Sequence, residues 1–147
     1  MISKISPALM ITEEDIKQLL NDWRNVPAWI KAHVLPKNPA HRYEGELAID
    51  KEMLVFSGRD IREGRDFKLE MALANIISIE LQFSDQLNAC IDAAFDIGGP
   101  VPLAVHYQDN ARSERLFFNT GFIGCTACAE ASNRRWYETL NGLVNKY

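Results

Sequence analysis

Apolar residues recur along this chain at two different periods, and each change of period marks a new element. Ile16, Leu19, Leu20 and Trp23 fall at i, i+3, i+4 and i+7, which predicts an amphipathic helix over residues 12–24. Thr12 is a good N-cap, because its hydroxyl can accept a bond from a free first-turn N–H. Glu13, Glu14 and Asp15 then set negative charge at the positive end of the helix dipole. Ile11 and Ile16 have the spacing of a hydrophobic staple. Pro27 disfavours helical geometry at Val26, so the helix should end near Asn25. Pro27 can itself open a short second helix carrying Trp29, Ile30, His33 and Val34. The stretch LPKNPAHR (35–42) then reads as a connector.

From Tyr43 onward the period falls to two. Tyr43, Gly45, Leu47 and Ile49 alternate with polar or small residues and predict a half-buried strand. Asp50-Lys51-Glu52 is a tight turn into a second strand, MLVF (53–56), and SGRDIREGRD (57–66) reads as a long hairpin tip. Phe67, Leu69, Met71 and Leu73 predict a third strand; after a break at Ala74-Asn75, Ile77, Ile79, Leu81 and Phe83 predict a fourth. Residues 84–100 fit either a short helix capped by Ser84 or a loop ending at Gly98-Gly99-Pro100. Val101, Leu103, Val105 and Tyr107 alternate again, Asp109-Asn110 turns, and residues 112–122 return as a strand. Trp136, Leu140, Leu143 and Val144 place a closing helix from about Ser132. Short links between alternating strands favour an antiparallel meander with one face on the core.

Composition narrows the class. A chain of 147 residues, 47% apolar and 24% charged, is long enough to bury a core as one domain, residues 1–147. A net charge of −4 offers no basic footprint for nucleic acid. No run of eighteen apolar residues is present to span a membrane, and the first residues lack the features of a secretory signal. Three cysteines, Cys90, Cys125 and Cys128, make an odd count that argues against a secreted disulfide framework. Together these features lead to the expectation of a cytoplasmic protein with reduced thiols.

Three segments, ELAIDKEMLVFSGRD, FKLEMALANIISIELQF and NRRWYETL, carry a resemblance to the pleckstrin-homology-like superfold, including its GRAM-like members. The similarity covers roughly residues 42–145. It implies an α+β domain: an antiparallel split β-barrel of about six or seven strands, with one open end plugged by a C-terminal helix. Residues 1–41 would form an N-terminal helical segment and residues 42–147 the barrel with its helix. Trp136 stands where helices of this superfold bury a tryptophan, and an indole is large enough to fill the mouth of a small barrel. Phosphoinositide-binding relatives use a basic loop between their first two strands. Here the corresponding loop is Asp50-Lys51-Glu52, short and net negative, so phosphoinositide binding is not expected. Peptide-binding relatives use the groove between the fifth strand and the final helix, which this reading places between residues 101–108 and 132–145.

Candidate chemistry is sparse. Cys125 and Cys128 form one C-x-x-C; a redox role would need a βαβ setting, and zinc would need two further ligands. His33, His41 and His106 are scattered. Arg59, Arg62 and Arg65 are the candidate anion-binding residues, although Asp60, Glu63 and Asp66 interleave with them; Arg134 and Arg135 on the final helix read the same way. Residues 110–122, NARSERLFFNTGF, resemble the N-x-x-A-x-x-L-Y-x-x-x-G-F signature of GNAT-type N-acetyltransferases, in which the Asn opens a helix. Phe117 replaces the tyrosine and has no proton to donate. The expectation is therefore a non-catalytic binding or scaffolding domain, with no catalytic residue, metal or cofactor. Its partner would be a protein, a peptide or a second copy forming a homodimer, with Trp23 and Trp29 packed on the barrel or in that contact. An acyl-CoA-dependent N-acetyltransferase is the alternative, and a C-x-x-C thiol or zinc module the third reading.

Overall fold

The structure is a computed structural model that describes residues 2–21, 41–82, 101–121 and 126–145. Strand β1 (Ile2–Thr12) leads directly into helix α1 (Glu13–Asn21). Three strands follow, β2 (Tyr43–Asp50), β3 (Met53–Asp60) and β4 (Arg65–Ala72). A single 3-10 turn, Leu73–Asn75, then precedes β5 (Ile76–Leu81). Strands β6 (Leu103–Gln108) and β7 (Ser113–Thr120) and helix α2 (Thr126–Val144) complete the described chain. The strands form one seven-stranded antiparallel sheet in the order β4-β3-β2-β1-β7-β6-β5.

The strand that organises this sheet is the one the periodicity does not announce. β1 pairs with β2 through Ile2–Met10 and with β7 through Ala8–Thr12, so it joins two three-stranded meanders. Its alternation is inverted at the start. Lys4 and Ser6 lie on the side of α2, where Ser6 accepts a bond from Trp136 Nε1 at 3.0 Å and Lys4 sits over the indole. Ile5 meanwhile faces out, 52% exposed. Pro7 is tolerated in this inner strand because it lies one position past the β7 pairing. Its carbonyl accepts from Gly121 N, and the donor it lacks has no strand residue opposite.

Two corrections concern the helices. The N-terminal segment contains one short helix among the described residues, and the predicted second helix at 27–34, Trp23, Trp29 and residues 84–100 lie outside them. Helix α2 begins at Thr126, earlier than Ser132, because Thr-Ala-Cys-Ala-Glu-Ala is a helix-compatible run without a bulky apolar stripe. The N-cap expectation holds. Thr12 Oγ1 accepts from Asp15 N at 3.1 Å, and Asp15 Oδ2 accepts from the Thr12 hydroxyl at 2.8 Å.

The sheet is strongly curled. Phe56 on β3 and Phe118 on β7 have ring centroids 6.1 Å apart, with β2 and β1 lying between their strands. In a flat sheet strands three places apart stand about 14 Å from one another. Curling brings Leu47, Leu54 and Met71 from one meander onto Val105 and Leu116 from the other, and Trp136 and Leu140 of α2 cover the same core. Strands β4 and β5 are not paired with each other among the described residues, so the curled sheet stays open. The expected single buried face is also exceeded. Ile11, Ile16, Ala104 and Phe117 are buried outside this core, and α1 packs against β1 and β7, so Leu116–Thr120 of β7 are buried without a break.

β2 and β3 approach most closely at Gly45, which stands opposite Gly58. A Cβ on Gly45 would lie 2.1 Å from Ser57 O, and one on Gly58 would lie 2.0 Å from Glu44 O. Gly58→Ala is therefore expected to lower the unfolding free energy by about 3 kcal/mol, at the upper end of the usual overpacking range. Urea titration of the variant beside the wild type measures this directly.

Candidate functional site

The hairpin tip predicted over 57–66 shrinks to the turn Ile61–Gly64, with Arg59 and Arg65 on the flanking strands. Asp60 Oδ1 accepts from the amides of Arg62 and Glu63, and Gly64 takes φ 68° to close the turn. Arg59 Nη2 donates to Gly64 O at 3.0 Å, and Arg62 Nε stands 3.6 Å from Glu63. Arg65 is exposed opposite Asp60 in the ladder. Arg59 and Arg62 are thus engaged by their own turn, and Glu63 and Asp66 stand among the exposed arginines with opposite sign. Arg134 and Arg135 are exposed on α2 between Glu130 and Glu138, again with mixed sign.

An arginine that the pattern did not single out has the more constrained setting. Arg42, just before β2, donates through Nη1 to Asp15 Oδ1 at 2.8 Å and forms a fork on Asp60, through Nη2 at 2.8 Å and Nε at 3.1 Å. Its side chain is 15% exposed, against 7% for Asp15 and 3% for Asp60. Burial alone would push the Asp60 carboxyl up, but the Arg42 fork and the Glu63 and Arg62 amides outweigh it, and its pKa is lowered. Burial lowers the Arg42 pKa, and the bonds to Asp60 and Asp15 outweigh that and raise it. The guanidinium also lies 5.0 Å from the Tyr43 ring, whose hydroxyl is pushed up to about 12, first by burial and then by the Asp15 charge. The three residues come from α1, the start of β2 and the end of β3. Their arrangement fastens those elements together and presents no unpaired group to a ligand.

A second buried polar cluster fixes α2 to the sheet. Asn133 is fully buried and uses its whole carboxamide. Its Oδ1 accepts from Thr120 N at 2.7 Å and from Thr120 Oγ1 at 2.8 Å; its Nδ2 donates to Val101 O and Asn119 Oδ1. Asn133→Leu keeps the approximate volume but strands the Thr120 amide and the Val101 carbonyl. It is expected to cost about 3 kcal/mol, readable as a lower urea midpoint at unchanged m-value.

The peptide groove expected between residues 101–108 and the final helix is misplaced. Residues Leu103–Gln108 form β6, which is paired on both sides, with β5 and with β7, and offers no free edge. The missed β1 shifts the strand count by one, so the fifth strand is Ile76–Leu81. Among the described residues β5 has β6 on one side only. α2 packs against β5, and Leu81 of β5 with Tyr137 and Val144 of α2 are half-buried apolar side chains at the core boundary. Ile77 is 54% exposed at an irregularity in the β5–β6 register. An edge with free backbone groups beside apolar side chains can accept an added strand.

The remaining candidates are placed as follows. Cys128 is on the first turn of α2 and is disulfide-bonded, which corrects the expectation of reduced thiols; an odd count leaves one cysteine over but does not prevent a bond. Cys90 and Cys125 lie outside the described residues, and among those residues no group of His, Cys, Asp and Glu could hold a metal ion. No helix–strand order of the βαβ kind surrounds Cys128 among the described elements. His41 is buried, with Nε2 3.0 Å from Glu44 Oε1; His106 Nε2 stands 2.8 Å from Ser113 Oγ on the sheet surface; His33 is outside the described residues. The acetyltransferase-like stretch is a turn at Asn110 followed by strand β7, where that family has a helix opening at the Asn. No described helix is long and apolar enough to cross a membrane. Against known proteins, the chain matches no family model and no curated protein.

Proposed function

We propose that this chain is a non-catalytic binding domain of pleckstrin-homology-like build that takes an extended peptide segment of a partner protein as an added strand on β5, beside α2. The observation that carries the reading is the free outer edge of β5 among the described residues, with Leu81, Tyr137 and Val144 half-buried beside it. The fold-level part of the reading draws support from the strand order, two meanders joined through β1, and from a closing helix that buries Trp136. Backbone hydrogen bonds would supply affinity, and the apolar side chains of β5 and α2 would select alternate side chains of the peptide.

The test is a screen of short extended peptides with alternating apolar positions, read by amide resonances of the labelled full chain. Binding is expected to shift the amides of residues 76–81 and of α2, and Val144→Glu is expected to weaken it. If no peptide moves residues 76–81, the reading fails. If acetyl-CoA instead raises the melting temperature, the acetyltransferase alternative takes its place.

A further inference from the structure

The opposite edge of the sheet has a different character. β4 is eight residues long and pairs with β3 in unbroken register from Arg65 to Ala72, without a bulge or a proline. β5, by contrast, is short, irregular between Ile76 and Ser78, and packed against α2. Long regular edges are the ones proteins must either blunt or use.

Among the described residues no strand pairs with the outer edge of β4, and the direction of its backbone groups follows from two bonds outside the ladders. Leu73 N donates to Glu52 O, and Ile61 N donates to Arg42 O. The first turns Leu73 toward β3; by alternation Met71, Leu69, Phe67 and Arg65 turn the same way. The second turns Ile61 toward β2, which leaves Asp60, Gly58, Phe56 and Leu54 facing those same β4 residues across the ladder. The N–H and C=O of Asp66, Lys68 and Glu70, and the N–H of Ala72, therefore point away from the sheet, while the Ala72 carbonyl caps the 3-10 turn that follows. Asp66 is exposed, and Lys68 and Glu70, 61% and 52% exposed, form an ion pair along the strand at 3.1 Å that can be shared with a facing strand.

From this we infer that β4 pairs antiparallel with β4 of a second copy of this chain, about a two-fold axis at Leu69, making one continuous sheet through the dimer. In this register Lys68 stands opposite Glu70 of the partner subunit, and Glu70 opposite the partner's Lys68. Asp66 and Ala72 face the partner's Ala72 and Asp66. Every outward N–H of the four residues then finds an acceptor, and both Lys–Glu pairs are of opposite sign. On the core side Leu69 meets its own copy, and Phe67 meets the partner's Met71. A shift of the axis to Lys68 would set Lys68 against Lys68 and Asp66 against Glu70, like charges in direct opposition. A shift to Phe67 also gives opposite charges, Asp66 on Lys68, but leaves Ala72 without a partner and Glu70 facing the turn. The isologous geometry closes on itself, so assembly stops at two copies. The inference concerns β4 and stands apart from the peptide reading at β5.

Sedimentation equilibrium of the full chain at rising concentration tests it. The wild type is expected to reach twice the chain mass, with association weakened by added salt. K68P removes an outward N–H and no β3 bond, so it should stay folded by circular dichroism and sediment as a monomer. K68E sets Glu against Glu70 of the partner subunit and should weaken association about tenfold or more, while K68E/E70K should restore it. A wild type that stays at the chain mass overturns the inference. So does a dimer unchanged in both K68P and K68E, which would place the interface on another surface such as β5. Failure of K68E/E70K to recover what K68E loses overturns the register.

Discussion

Arg42→Ala is expected to lower the unfolding free energy by about 3–5 kcal/mol at neutral pH, the cost of removing one member of a buried ion cluster. The size follows from what remains. Asp15 and Asp60 are buried, both have an oxygen 2.8 Å from the Arg42 guanidinium, and without it two buried carboxylates keep only neutral donors, Thr12 for one and the Arg62 and Glu63 amides for the other. The pH dependence gives the effect a signature. Asp60 has a pKa lowered from its ordinary 3.8, so in the wild type its contribution is present above that value and is lost as the pH falls through the lowered one. In the variant that contribution is missing at neutral pH, and acidification neutralises the stranded Asp60. The gap between wild type and variant should therefore narrow below the ordinary carboxyl range. Urea unfolding at neutral pH and again at acid pH checks both parts; a gap that stays constant would mean that the loss is of packing alone. Arg42→Lys keeps the charge but cannot form the fork on Asp60 while reaching Asp15, so it should recover only part of the loss.

Trp136→Ala is the other large effect, about 3–5 kcal/mol. The indole is fully buried at the point where α2 covers the curled sheet, and Leu140 continues the same contact one turn later. Its Nε1 also satisfies Ser6 on β1, and the Lys4 ammonium lies 5.2 Å from the ring. The variant thus opens a large cavity and withdraws the bond that gives Ser6 its place on the inner side of β1. Near-ultraviolet circular dichroism should lose its aromatic signal more than far-ultraviolet dichroism loses strand content. Trp136→Phe, which fills most of the space, should cost less. Equal losses in the two variants would show that the hydrogen bond, not the volume, dominates.

Much of the fold was legible from the chain because local patterns and tertiary burial agree there. Strands β2, β3, β4 and β6 alternate with period two, the turn at Asp50-Lys51-Glu52 is where two strands must reverse, and Trp136, Leu140, Leu143 and Val144 mark the buried stripe of α2. In β5 the irregularity after Ile76 buries Ile76 and turns Ile77, expected inward, out to solvent. Thr12 and Asp15 announced a helix start in four residues, and the start is there. Boundaries were poorer where no bulky apolar residue marks them, as in the small-residue start of α2.

What the chain did not disclose has one physical origin: the deciding partner is remote in sequence. β1 hides because Lys4 and Ser6 take inner positions only when Trp136, some 130 residues later, is there to receive them. Without β1, the strand count slips by one and a groove is assigned to β6, whose two edges are already paired. Asp15 looked like a dipole charge and Asp60 like one member of a charged tip, until Arg42 was brought between them. β7 is buried on both faces because a curled sheet lies under one and α1 over the other, and no period in its own residues encodes both. Periodicity records which side of an element avoids water. It does not record which distant surface provides the shelter, and that is set only when the sheet curls and the two helices close on it.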